Sequence, residues 1–127
     1  MRNTASSVLN ADTIAELRKA TVECRNPLLL RQLVEIYRTN APKRIDQLRG
    51  AIAGGDARTL GLVAHTLKTN CAMLGATAMA AMCATLEAYG ESATFNNAAA
   101  ALALVEGEFE RVLAALAQLL AEEPDDS

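Results

Sequence analysis

Leu102, Val105, Phe109, Val112, Leu113, Leu116 and Leu120 recur at intervals that lay side chains along one face of an α-helix rather than on alternate faces of a strand. A stripe that broad has to be buried against other elements. The same spacing runs through Leu30, Leu33, Val34 and Tyr37, resumes in Ile45, Leu48 and Ile52, and returns in Leu60, Val63, Ala64, Leu67, Cys71 and Leu74. Alanine and leucine, both strong helix formers, supply much of an apolar share of 51%, and aromatic residues only 3%. The chain is therefore expected to be all-α, and its 127 residues suit one domain with its own core.

The breaks in the pattern divide it into helices. Asn10 or Asp12 can cap a short first helix carrying Ile14 and Leu17. Asn26 and Pro27 are expected to cap and begin a second helix, which continues through Pro42 with a bend there. Gly54 and Gly55 end it, and Asp56 caps a third that runs to about Leu74. After Gly75, a fourth helix is expected from Ala76 or Thr77 to about Tyr89, with Gly90 opening a loop near residues 90–96. A fifth covers roughly Asn97 to Ala121. Short connections and one apolar face per helix predict an antiparallel four-helix bundle over residues 12–121, with the short first helix across one end. Residues 1–11 are expected to be a flexible arm, and residues 122–127 a disordered acidic tail.

Residues 1–68 carry 11 Lys and Arg against 6 Asp and Glu, whereas residues 69–127 carry 1 against 9. Such an imbalance can steer a charged protein partner or simply reflect solvated helix faces. With a net charge of −3 and no aromatic residues interleaved with the basic ones, nucleic acid is not an expected partner. No run of about 18 apolar residues suggests a membrane span, and the opening "MRNTASSVLNAD" lacks the apolar region of a signal peptide. A cytoplasmic protein is expected. Cys24, Cys71 and Cys83 are odd in number, without a CxxC pair, and read as reduced core residues.

The chain has one histidine, His65. Taking Leu60 as zero on the helical wheel, the apolar stripe of the third helix lies within about 60°, whereas His65 falls near 140°. Its ring should therefore stand in solvent. Gly61, Arg58, Lys68, Thr69 and Ala72 share its face, and Leu62 and Met73 form an apolar flank beside it. Gly61 costs about 1 kcal/mol relative to alanine inside a helix, so it either clears space around the imidazole or lets a neighbouring helix pack closely.

A general base of the serine-hydrolase kind needs a nucleophile on one ring nitrogen and a carboxylate on the other. No Asp or Glu stands at 61, 62, 68 or 69, and no convincing nucleophile shares the face. A metal or haem site would need further histidines or converging cysteines, or His65 turned inward toward Met82. What remains is the imidazole as nucleophile toward a phosphoryl group, with Lys68 holding a phosphate oxygen and Arg58 adding positive potential. "AGGDA" lacks the Lys-Ser/Thr of a phosphate-binding loop, so the chain is not expected to draw its phosphate from ATP unaided. This reading requires a ring exposed to solvent and free of any internal carboxylate.

"AHTLKTNCAMLGA", with "LVEIYRTNAPKRIDQLRGAIAGGD" before it and "MCATLE" after it, resembles the histidine-containing phosphotransfer (HPt) domain of multistep phosphorelays, over residues 12 to 120. The resemblance implies a phosphocarrier with no catalytic apparatus or cofactor of its own. It would pass a phosphoryl group between aspartates of receiver domains, which supply Mg2+, in a pathway fed by a hybrid sensor histidine kinase. His65 would be the phosphoacceptor and Lys68 the phosphoryl contact. Arg58, Gly61, Leu62, Thr69, Ala72 and Met73 would meet the partner, and the chain would be a monomer. Gly75 matches the family's glycine ten residues after the histidine, and Leu86 and Glu87 its "LE" on the next helix. Thr69 stands where the family typically has glycine; its methyl would narrow the approach, or its hydroxyl would donate to the phosphoryl group. The alternatives are a helical interaction module that has lost transfer, and the phosphoacceptor hairpin of a sensor kinase.

Overall fold

A computed structural model describes residues 8–122. The Asn10 carboxamide accepts the Thr13 backbone N–H at 2.9 Å and so caps α1 (Ala11–Glu23). Asn26 does not cap the second helix as the sequence predicts. Its side chain accepts the N–H of Leu28, two residues on, at 3.1 Å, an Asx turn that holds Pro27 and Leu28 outside the helix. Helix α2 (Leu29–Gly54) therefore starts at Leu29 and continues through Pro42 as one element. An interior proline costs about 3 kcal/mol, but Leu30, Val34, Tyr37, Ala41, Ile45, Leu48 and Ala51 keep one buried stripe in register across it. Burial of that stripe outweighs the local cost.

Gly55 takes φ +66° at the end of α2. Asp56 then caps α3 (Ala57–Met73), its carboxylate accepting the Thr59 N–H at 3.1 Å and hydroxyl at 2.7 Å. Those two bonds hold the Asp56 carboxyl below the usual carboxylate range. Gly75, at φ +79°, turns the chain into α4 (Thr77–Ser92), and α5 is Ala98–Glu122.

Gly90 is not the loop opener that the sequence predicts. It lies inside α4, buried against α3, and the loop begins only at Ala93. A Cβ at Gly90 would stand 2.6 Å from Gly61 Cα and 2.9 Å from the Ala57 carbonyl oxygen. Glycine is retained because the two backbones touch, and tertiary packing overrides its poor helix propensity.

Helix α3 packs on α2 and α4, and α5 closes the ring by packing on both of them, around a core that includes Leu48, Leu60, Leu67, Met79, Leu86 and Leu116. No strand occurs among the described residues. The α1 end lies over the α3–α4 turn, where the Asn10 N–H donates to the Gly75 carbonyl at 2.7 Å. Leu9 is also buried, so packing starts ahead of position 12. Residues 1–7 of the expected arm and 123–127 of the expected tail lie outside the described residues. Cys71 and Cys83 are core residues, whereas Cys24, also expected in the core, is exposed just after α1. Glu108 is buried within the apolar face of α5, its carboxylate held by Arg111 at 2.8 Å. No helix among the described residues is long and apolar enough to cross a membrane.

Candidate functional site

The middle turn of α3 presents its apolar side, Leu60, Ala64, Leu67 and Cys71, to the core and His65 to solvent, with the imidazole side chain 59% exposed. Nδ1 of that ring lies 2.9 Å from Glu87 Oε2, and the Lys68 ammonium donates to the other carboxylate oxygen, Oε1, at 2.5 Å. One carboxylate thus bridges an imidazole and an ammonium one turn apart on the facing helix. The bare crossing of Gly61 and Gly90 brings α4 close enough for a glutamate to span the gap.

Glu87 was expected only as part of a motif, and no carboxylate was expected on the ring. It lies 22 residues beyond His65 on another helix, and only the α3–α4 packing brings it there. The sequence requirement that the ring be free of an internal carboxylate was too strict. Glu87 sits at the edge of the bundle, its side chain 18% exposed, and it engages one ring nitrogen only.

The Lys68 hydrogen bond, with a smaller contribution from His65, holds the Glu87 carboxyl below the usual carboxylate range against an opposing effect of burial. At neutral pH the group is an ionised carboxylate, which can only accept. Nδ1 must therefore carry the proton, and in the neutral ring the lone pair resides on Nε2. In the neutral ring the arrangement fixes both tautomer and ring orientation, with the lone-pair nitrogen on the side away from Glu87.

The residues expected at the partner surface do not all line the same depression. Arg58, Gly61 and Leu62 line an open notch with His65, Glu87, Gly90 and Glu91. Met73 instead lines a separate groove between α2 and α3. Ala72 is exposed and lines neither depression. Thr69 is exposed, and its hydroxyl donates to the His65 backbone carbonyl at 3.1 Å, so its one proton is not offered outward. Thr66 does the same to Leu62. Leu62 and Met73 share an azimuth on α3, but eleven residues separate them, about 16 Å along the axis. The helical wheel hides that distance. Among the described residues no group of His, Cys, Asp and Glu is placed to hold a metal ion.

The family model for the Hpt domain matches residues 32–123. The chain is also similar to the crystal structure of histidine-containing phosphotransfer protein B from Pseudomonas aeruginosa PAO1, at 27% identity and a TM-score of 0.76, with 89% of this chain and 94% of that chain covered. No curated protein matches. A single-chain helical bundle with a solvent-facing histidine, a family match over well beyond half its length and a solved relative of the same architecture together place this chain in the Hpt-domain family.

Proposed function

We propose that this protein is a histidine phosphocarrier of a phosphorelay, accepting a phosphoryl group at His65 Nε2 from the aspartyl phosphate of one receiver domain and passing it to an aspartate of another. The observation that carries this reading is the Glu87 carboxylate on Nδ1, which leaves the outer nitrogen as the nucleophile. In the forward step the Nε2 lone pair attacks phosphorus, the N–P bond forms, and the P–O bond to the receiver's aspartate breaks, releasing a carboxylate. Nδ1 keeps its proton, and the ring becomes cationic. Glu87 balances that charge in place, and Lys68, shared with Glu87 in the resting state, takes a phosphoryl oxygen. The return step reverses these bonds. Such a transfer is chiefly a matter of in-line positioning and charge neutralisation, which an exposed imidazole on a rigid helix provides.

The Mg2+ ion and the reactive aspartate belong to the receiver, the kinase of the pathway supplies the phosphate from ATP, and the carrier works as a cytoplasmic monomer. A ring of four helices within one chain supports the monomer over a kinase hairpin, which completes its bundle by dimerising. An intact His65–Glu87–Lys68 arrangement favours a working carrier over a module that has lost transfer.

The test is incubation with receiver domains charged by acetyl phosphate, followed by detection of protein-bound phosphate that is labile in acid and stable in base. Transfer to the wild type, abolished in His65→Gln, is the expected result. A wild-type chain that no charged receiver phosphorylates would make it a passive module.

A further inference from the structure

Two buried thiols lie next to the His65–Glu87–Lys68 arrangement, and phosphotransfer uses neither. Helices α3 and α4 run antiparallel in a register that sets Gly61 on Gly90, His65 and Lys68 on Glu87 and, one turn further, Cys71 beside Cys83. Cys71 follows Lys68 by three residues and Cys83 precedes Glu87 by four, so each cysteine sits one turn from a charged member of the site. Both are free thiols with no exposed surface. They belong to a small sulfur cluster, in which the Tyr37 hydroxyl stands 3.5 Å from Cys71 Sγ and donates to Met79 Sδ at 3.2 Å. The hydrogen-bonding contact with Cys83 is the largest influence on Cys71, drawing its thiol below the ordinary range against the opposing effect of burial, whereas the Cys83 thiol is pushed up. Cys71 is thus the readier thiolate of the two. Tyr37 also lines the groove between α2 and α3, together with Asn70 and Leu74, one residue before Cys71 and three after it. A small oxidant in that groove has only the Tyr37 side chain to pass.

We propose that Cys71 and Cys83 are a redox-modification site, closing to a disulfide between α3 and α4 when hydrogen peroxide oxidises them, and that the closed bond slows phosphotransfer at His65. The effect on transfer rests on the phosphocarrier reading, whereas the disulfide itself does not. In the first step the Cys71 sulfur attacks one peroxide oxygen and the O–O bond breaks. Cys71 becomes a sulfenic acid, and the departing hydroxide leaves as water with the thiol proton. The Cys83 sulfur then attacks Cys71 Sγ, the S–O bond breaks, and the second hydroxide takes the Cys83 proton as water. Two thiols lose two electrons to one peroxide, and a dithiol reductant restores them. Closure draws the sulfurs from hydrogen-bonding contact to about 2 Å. Because the surrounding core is close-packed, α3 and α4 have to shift at the turn that sets the reach of Glu87 to the ring and to Lys68.

The experiment uses the full chain, either reduced or treated with hydrogen peroxide that is removed before assay. Trypsin leaves both cysteines on one peptide, residues 69–111, because no Lys or Arg lies between its ends. After peroxide that peptide should be lighter by two hydrogens and closed to alkylation, and dithiothreitol should reopen it. The rate of transfer from a charged receiver should fall about tenfold or more in the oxidised protein, since a misplacement of about 1 Å can cost on the order of a hundredfold. Reduction should restore it, and Cys83→Ala should transfer equally well with and without peroxide treatment. If that variant misfolds, the wild-type peptide mass and the recovery on reduction still decide the matter. Two alkylatable thiols on the peptide after peroxide would overturn the proposal. So would a disulfide made through the exposed Cys24 instead, a closed Cys71–Cys83 bond with unchanged transfer, or an equal loss in Cys83→Ala. Reduced wild type that takes phosphate neither from a receiver nor from phosphoramidate, a small donor, would contradict the phosphocarrier reading instead, and the peptide mass would still report on the disulfide.

Discussion

Glu87 serves two partners, and substitutions can separate those services. Glu87→Gln keeps an oxygen that accepts from Nδ1–H but loses the charge that balances a phosphorylated ring; Glu87→Ala loses both. Transfer rates from a charged receiver should fall in the order wild type, Gln, Ala, with circular dichroism unchanged. Equal rates for all three would mean that the carboxylate is a bystander. Because the Lys68 hydrogen bond is the largest cause of the low Glu87 pKa, Lys68→Ala should move the Glu87 titration, followed by side-chain carboxyl 13C NMR, upward toward the ordinary glutamate range. The sign for stability follows from the depressed value. The interaction is in force above the unfolded glutamate pKa and is lost as pH falls through the folded one, so the acid limb of the stability profile should move to higher pH in Lys68→Ala. At this scale the sequence was informative about His65 and Lys68, whose directions follow from helical periodicity. It marked Glu87 only as part of a motif and gave it no contact with His65, because periodicity within one helix does not say which residue of the next helix will face it.

At the α3–α4 crossing the two glycines make opposite predictions. A Cβ at Gly61 would meet Gly90 and Glu87 backbone atoms at 3.8 and 3.9 Å, ordinary contact, whereas one at Gly90 would enter the Gly61 backbone. Gly61→Ala should therefore be tolerated, within about 1 kcal/mol of wild type and possessing a better helix former. Gly90→Ala should lose about 1–3 kcal/mol by forcing the helices apart, and with them the reach of Glu87 to His65. Urea denaturation of the two variants checks this; equal stabilities would mean that the crossing is not the constraint. The sequence makes both glycines conspicuous, but reads Gly90 as a helix end and leaves Gly61 between clearing space for the imidazole and admitting a neighbouring helix. Turn glycines with positive φ, Gly55 and Gly75, are legible because backbone strain is local. A glycine kept for helix–helix contact is not, since its reason lies on another element. Asn26 departs from expectation for a local reason, an Asx turn that displaced the expected cap.

Across the whole molecule, the end of the bundle beside Gly75 links α1 to the α3–α4 turn. Leu9 is 3% exposed, and the backbone of Asn10 bonds to Gly75. Leu9→Ala should cost about 2–5 kcal/mol, as for other buried leucines, lowering the melting temperature without changing transfer at 25 °C; a wild-type melting temperature would show that this end is not packed in solution. The four-helix ring was legible from apolar stripes and short connections because both are consequences of burying one face per helix. The division of the surface into a notch and a groove was not, since it depends on distances along α3 and on which neighbour, α2 or α4, flanks each position.

The account turns on one nitrogen. With a single histidine in the chain, protein labelled with 15N-histidine and phosphorylated by a charged receiver gives an unambiguous 15N–31P correlation spectrum. Coupling of phosphorus to Nε2 of His65, with Nδ1 still protonated against Glu87, is the result predicted. Coupling to Nδ1, or phosphate on another residue, would contradict it.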